Sequence, residues 1–304
     1  MRTTCGALAL ALVFAASAAA AYPGKNGKIA FARSGSIYTV DANGKNLKRL
    51  GNGAHPSWSP DGTKIAFDKK VDGVSGIYVM QADGTSVTVL TQANRTDIHY
   101  DDAHPTWSAD GKTIVFDSDE PPADMGCDPT APFVVLYSVG VDGTGWKLFT
   151  PLSVATDICG IPDGDDWPAF SPKGDRVAFD NSELIVHEIY DRTIMVCDAT
   201  GKNRKAVFSG VEPDWSPDGK KLTWIASYKG NAEVWTGTVA TKKATRLTRS
   251  SGGNTTPAWS PDGKKIVFAR SKGSTKGLLV LDLKSGKLTK IASSGDSADW
   301  QPLP

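Results

Sequence analysis

The chain is poor in cysteine, in net charge and in apolar runs beyond its first residues, and each shortage narrows the options. Its four cysteines contain no Cys-x-x-Cys pair, which argues against a structural zinc site. A net charge of +1 gives no electrostatic reason to expect nucleic acid or an anionic membrane surface as a partner. No stretch keeps a helical period, so an all-β chain is expected. Catalytic signatures are also missing: there is no Gly-x-Ser-x-Gly elbow, no phosphate loop and no His-Glu-x-x-His. The Asp-Gly pairs are not sialidase Asp-boxes, which need a residue between Asp and Gly; they read as turns.

What is present is one phrase, repeated. Pro56-Ser57-Trp58-Ser59-Pro60-Asp61-Gly62 returns around Trp107, Phe170, Trp215 and Trp259, and ends as the stub Asp299-Trp300-Gln301-Pro302. The aromatic positions follow one another at steps of 41 to 63 residues, the spacing of a four-stranded propeller blade. A short apolar strand such as Lys64-Ile65-Ala66-Phe67 follows each full phrase. The copy at Gly27–Phe31 has no phrase before it, and the Trp300 phrase has no strand after it. Joined, the two fragments complete one unit. The expected fold is a six-bladed β-propeller of four-stranded antiparallel blades. Its ring is closed by the C-terminal strand pairing into blade 1, which removes exposed strand edges.

Met1-Arg2 followed by the apolar run Ala7–Ala21 has the pattern of a secretory signal peptide, with cleavage expected near Ala20 or Ala21. The run is short for a membrane span, so residues 22–304 are expected as a single exported, periplasmic or secreted domain, monomeric and without a membrane span. Blade 3 is stretched by insertions at about 117–132 and 151–166. Cys127 and Cys159 lie in them, and a disulfide between the two is expected in an oxidising compartment. Cys197 falls on a strand and reads as a buried small hydrophobe; the competing pairing joins Cys159 to Cys197.

The segments leading into the inner strands carry His55, Asp101, Asp102, His104, Asp165, Asp166, Glu212 and Asp296. In a propeller these segments converge on one mouth of the central channel. There they can bind a hard cation such as Ca2+, with Asp101 and Asp166 as candidate ligands, or a cationic ligand group. They can equally be solvated rim residues. His99 and His187 stand apart and receive no role.

In the phrase Pro-x-Trp-Ser-Pro-Asp-Gly-Lys-x-Ile-Ala-Phe, the repeats resemble the TolB-type β-propeller across residues 27 to 302. The family's best-known member is periplasmic and binds partner proteins, notably a peptidoglycan-associated lipoprotein; it carries an α/β domain ahead of its propeller. Here blade 1 directly follows the leader, so no such domain is expected. The resemblance implies a non-enzymatic scaffold in the cell envelope that binds a protein or another ligand. Similar propellers also cap prolyl peptidases and form some polysaccharide lyases. The second reading is therefore a metal-assisted lyase or hydrolase working at the mouth with His55 and His104.

Overall fold

A computed structural model describes residues 22–91, 100–120, 134–150, 164–183, 191–250 and 253–304. The expected leader, Cys127 and Cys159 lie outside these residues. Within them the chain forms six four-stranded antiparallel sheets and no helix, so no helix is long and apolar enough to cross a membrane. Ring closure is as the split repeat requires: the strand Asp296–Leu303 pairs with Lys25–Arg33, placing Ile29 opposite Trp300 and Asn26 opposite Pro302.

The phrase dictates the blade through local chemistry. In Ser59-Pro60-Asp61-Gly62, the Gly62 N–H donates to Ser59 O at 2.8 Å, and Ser59 N–H donates to Lys64 O at 2.9 Å. Proline suits the second position of such a turn, and Gly62 takes the left-handed conformation at φ 67°. Asp61 fastens the loop by accepting from Ser59 Oγ and from the Thr63 N–H. Gly111, Gly174, Gly219 and Gly263 repeat that conformation at 66–68°.

The aromatic residue is the wedge between blades. Trp58 is fully buried among Ala30 and Ile37 of blade 1 and Ile65, Phe67 and Met80 of its own blade. Trp107 and Trp215 use their indole N–H groups as further ties, donating to Ser57 O and Ala169 O of the preceding blades. The closure is packed in the same way, with Ile29, Phe31 and Trp300 of blade 1 against Val267, Ala269 and Leu278 of blade 6. Cys197 is buried and has no disulfide partner among the described residues, and burial chiefly pushes its thiol up to about 12.

Candidate functional site at the channel mouth

Each inner strand begins with the same distortion. The ladder between first and second strands slips near the start of the inner strand in every blade, and blade 1 has a second slip between Asn26 and Ile29. At the slip shared by all six blades sits a non-glycine residue with positive φ: His55 (43°), His104 (49°), Trp167 (51°), Glu212 (58°), Thr256 (49°) and Ser297 (47°). Bulges of this kind re-aim side chains, and a left-handed non-glycine residue costs of order 1–3 kcal/mol. Five of the six stand before proline, on a strand edge that tolerates the missing N–H. The result is a ring of six side chains at one end of the axial channel, which encloses a cavity of about 130 Å³. The ring residues and the residues that follow them line that cavity.

The ring has an aromatic half and an oxygen half. His55 and His104 lie with ring centroids 4.1 Å apart, and His104 stacks on Trp167 at 3.7 Å. Both imidazoles are held from behind by the carboxylate that follows the second-strand aromatic. His55 Nδ1 is 2.6 Å from Asp68 and His104 Nδ1 is 2.8 Å from Asp117, with Asp166 at 3.2 Å from the same nitrogen. Burial opposes charge on His104, yet Asp117 and Asp166 outweigh it and hold its pKa well above the ordinary value. In blade 4 Trp167 replaces the histidine, and the equivalent Asp180 pairs with Arg192 at 3.1 Å. On the other half, Glu212 accepts from the Thr256 N–H at 2.5 Å and Thr256 Oγ1 from the Ser297 N–H at 2.9 Å. Burial raises the Glu212 pKa.

Of the residues singled out in the sequence, His55, His104 and Glu212 are ring members, and Asp166 and Asp296 stand immediately before Trp167 and Ser297. Asp101, Asp102 and Asp165 are elsewhere. Asp101 is exposed and bonds Lys70 and the Ser75 N–H. Asp102 is buried at the start of its strand, and Asp165 is buried against Asn181 and Arg204. Alternation along a strand sends neighbours to opposite sides, so Asp165 and Asp166 cannot share the mouth. Trp167, Thr256 and Ser297 carry no signal in residue type; their signal is position, two residues before the middle of Pro-x-Trp or its equivalent.

A metal ion has one candidate place among the described residues. His104, Asp117 and Asp166 each offer a ligand atom, all within 4.8 Å of one another. Of the two ligands expected from the sequence, Asp166 is in this group and Asp101 is not. One nitrogen and two carboxylates suit a divalent ion that accepts imidazole; calcium, which takes six to eight oxygens, fits them poorly.

Deeper in the channel lie Asp214 and Asp299, the middle residues of two phrases. Asp214 accepts from the Trp259 N–H at 2.8 Å and Asp299 from the Trp58 N–H at 2.7 Å, so each ties its blade to the next. Burial pushes their pKa values up to about 8 and about 7, and Asp299 adds to the effect on Asp214. At the far end Tyr22 enters the channel and its hydroxyl donates to Trp107 O at 3.0 Å. Burial and these two carboxyl groups raise the phenol's pKa.

Comparison with known proteins agrees with this architecture. The family described as TolB beta propeller domain matches residues 186–303. The Tol-Pal system protein TolB of Xylella fastidiosa (strain M12) is 38% identical over 52 residues, 16% of this chain and 12% of that protein. The match thus spans about an eighth of the curated relative's length. Among solved structures, TolB from Acinetobacter baumannii superimposes with a TM-score of 0.69 at 21% identity, covering 91% of this chain and 67% of that one. A putative TolB from Agrobacterium tumefaciens gives 0.63 at 16% identity, covering 91% and 99%. Repeat phrase and ring closure agree with the TolB beta propeller domain matched over residues 186–303, and the solved TolB structures share this propeller fold.

Proposed function

We propose that this propeller is an exported, periplasmic or secreted scaffold, without catalysis of its own, whose channel mouth docks a protein or another component of the cell envelope. The observation that carries this is the strained ring. Six blades hold five different residue types on one conformation that costs stability at every position. Strain kept where the repeat itself does not need the residue type is the mark of a functional surface. The name of the Xylella relative, a Tol-Pal system protein, supports the envelope setting. The test is capture from a native envelope fraction with immobilised protein, beside the variants Trp167→Leu and His55→Asn. A protein retained by the parent and lost from both variants is expected; equal retention by all three contradicts docking at the mouth.

A second reading rests on the three converging ligand atoms of His104, Asp117 and Asp166. A divalent ion there would polarise a ligand at the mouth and bring in the metal-assisted chemistry of a lyase or hydrolase. Metal analysis of the purified protein, with activity screening on acidic oligosaccharides, tests it. Stoichiometric metal lost from Asp166→Asn supports this reading, and metal-free protein without turnover leaves docking alone.

A further inference from the structure

We propose that the channel behind the ring receives the cationic end of one side chain, a lysine ammonium or an arginine guanidinium presented by a protein partner. This rests on the reading that the mouth docks a protein, and adds the chemistry of what enters. Two independent tiers of carboxyl groups point to it.

The outer tier lies around and behind the ring, and of its members Glu212 lines the cavity itself. Asp166, Asp180 and Glu212 act on one another there, with Arg192 and His104 as the cations close to them. Asp180 is fully buried and its Oδ1 has no hydrogen-bond partner. Adding Asp68 and Asp117 behind the imidazoles leaves carboxyl groups in excess of cations among the described residues. Buried charge without countercharge is expensive, and an incoming cation relieves it.

The inner tier is Asp214 and Asp299, which line the cavity between the mouth and Tyr22. Their donors are backbone N–H groups, and no lysine, arginine or histidine acts on either of them among the described residues. Two carboxyl groups line one channel, Asp299 close enough to raise the proton affinity of Asp214, and with no cation beside them among the described residues they form a site that an incoming positive charge would complete.

Size and walls fit the same occupant. A cavity of roughly 150 Å³ accepts a benzene-sized molecule, so about 130 Å³ takes one side chain and not a folded segment. The walls are prolines and aromatics, which suit the apolar stem of lysine or arginine while its head finds carboxylates. At the mouth Trp167 offers an aromatic surface to a passing cation. The Tyr22 hydroxyl, whose proton goes to Trp107 O, keeps its oxygen lone pairs for an ammonium group at the floor.

The probes are four blocked tripeptides with lysine, arginine, norleucine or glutamate between two glycines. Each is titrated into the full-length protein while the indole N–H signals of Trp259 and Trp300, which line the cavity, are followed by NMR. Saturating shifts in the millimolar range are expected with lysine or arginine and not with norleucine or glutamate. Asp214→Asn with Asp299→Asn should weaken binding at least tenfold. Asparagine retains an acceptor for the Trp259 and Trp58 N–H groups, so the fold should hold; should it not, Glu212→Gln replaces the pair with the same expectation. Equal shifts from norleucine, or unchanged binding by the variant, overturn the proposal. Capture of an envelope protein through the ring with no response to the cationic peptides removes this inference and spares docking; peptide binding without any captured protein does the reverse.

Discussion

Blades 2, 3 and 4 bring His55, His104 and Trp167 to the mouth, while blades 5, 6 and 1 bring Glu212, Thr256 and Ser297 on the same strained backbone. The halves are fastened differently. Carboxylates thirteen residues along the chain hold the two histidines, and stacking joins the histidines to Trp167. In blades 5, 6 and 1 the place of those carboxylates is taken by Ile225, Ala269 and Ala32. There the ring side chains accept backbone N–H groups from the next blade, Glu212 from Thr256 and Thr256 from Ser297. The oxygen half is thus a belt between blades, and the aromatic half is a surface whose outward edge remains available. One repeat position has been used for structure on one side and for recognition on the other.

The strongest way to break this contrast is to cut the belt where the ring closes. Deleting Ser297–Pro304 removes Trp300, the inner strand of blade 1 and the Asp299 acceptor for the Trp58 N–H. Loss of a buried tryptophan alone typically costs about 3–5 kcal/mol, and an open strand edge is added. Calorimetry should show loss of cooperative unfolding; a parent-like melt would refute circular closure.

A smaller effect separates two turns of identical sequence role. A Cβ on Gly62 would stand 2.2 Å from Pro302 O of the closing strand, whereas on Gly111 its nearest neighbour is Pro60 at 3.9 Å. Both carry left-handed φ, so both alanine variants lose stability, Gly111→Ala by about 1 kcal/mol. Gly62→Ala should lose clearly more in a denaturant titration, and equal losses would mean that blade 1 is not docked there.

Within the ring, Thr256→Val removes the acceptor of the buried Ser297 N–H and should cost about 1–3 kcal/mol. His55→Asn, on the aromatic half, should shift the melting temperature little. The same thermal scan on both variants sharpens the contrast, and a larger loss from His55→Asn would reverse it.

The mildest expectation concerns pH. Asp214 and Asp299 have folded pKa values of about 8 and about 7, above the ordinary carboxylate value. They bind protons more tightly in the folded state, so their contribution is complete below pH 4 and is lost as pH rises through 7 to 8. The parent should lose stability over that window, and Asp214→Asn with Asp299→Asn should flatten the curve; parallel curves would mean that the two groups ionise freely in the channel.

Blade count, closure and the turn glycines were legible in the sequence because one phrase fixes a turn, a wedge and an edge strand by local chemistry. The mouth was half legible. His55, His104 and Glu212 stood out as titratable residues before Pro, but Asp102 and Asp165 look equally suitable until the alternation of the strand is known. Trp167, Thr256 and Ser297 gain their meaning from the bulge, which no residue type announces. Tyr22 and the pair Asp214 and Asp299 are brought together only by closing the ring, so they depend on contacts between blades far apart in the chain.

The division of labour between the two halves is tested most directly by titrating one captured partner onto Trp167→Leu and Thr256→Val side by side, with the melting temperature of each in hand. We expect Trp167→Leu to melt within a few degrees of the parent and lose binding, and Thr256→Val to melt lower and keep it. Full binding by Trp167→Leu together with lost binding by Thr256→Val would contradict the assignment of recognition to the aromatic half.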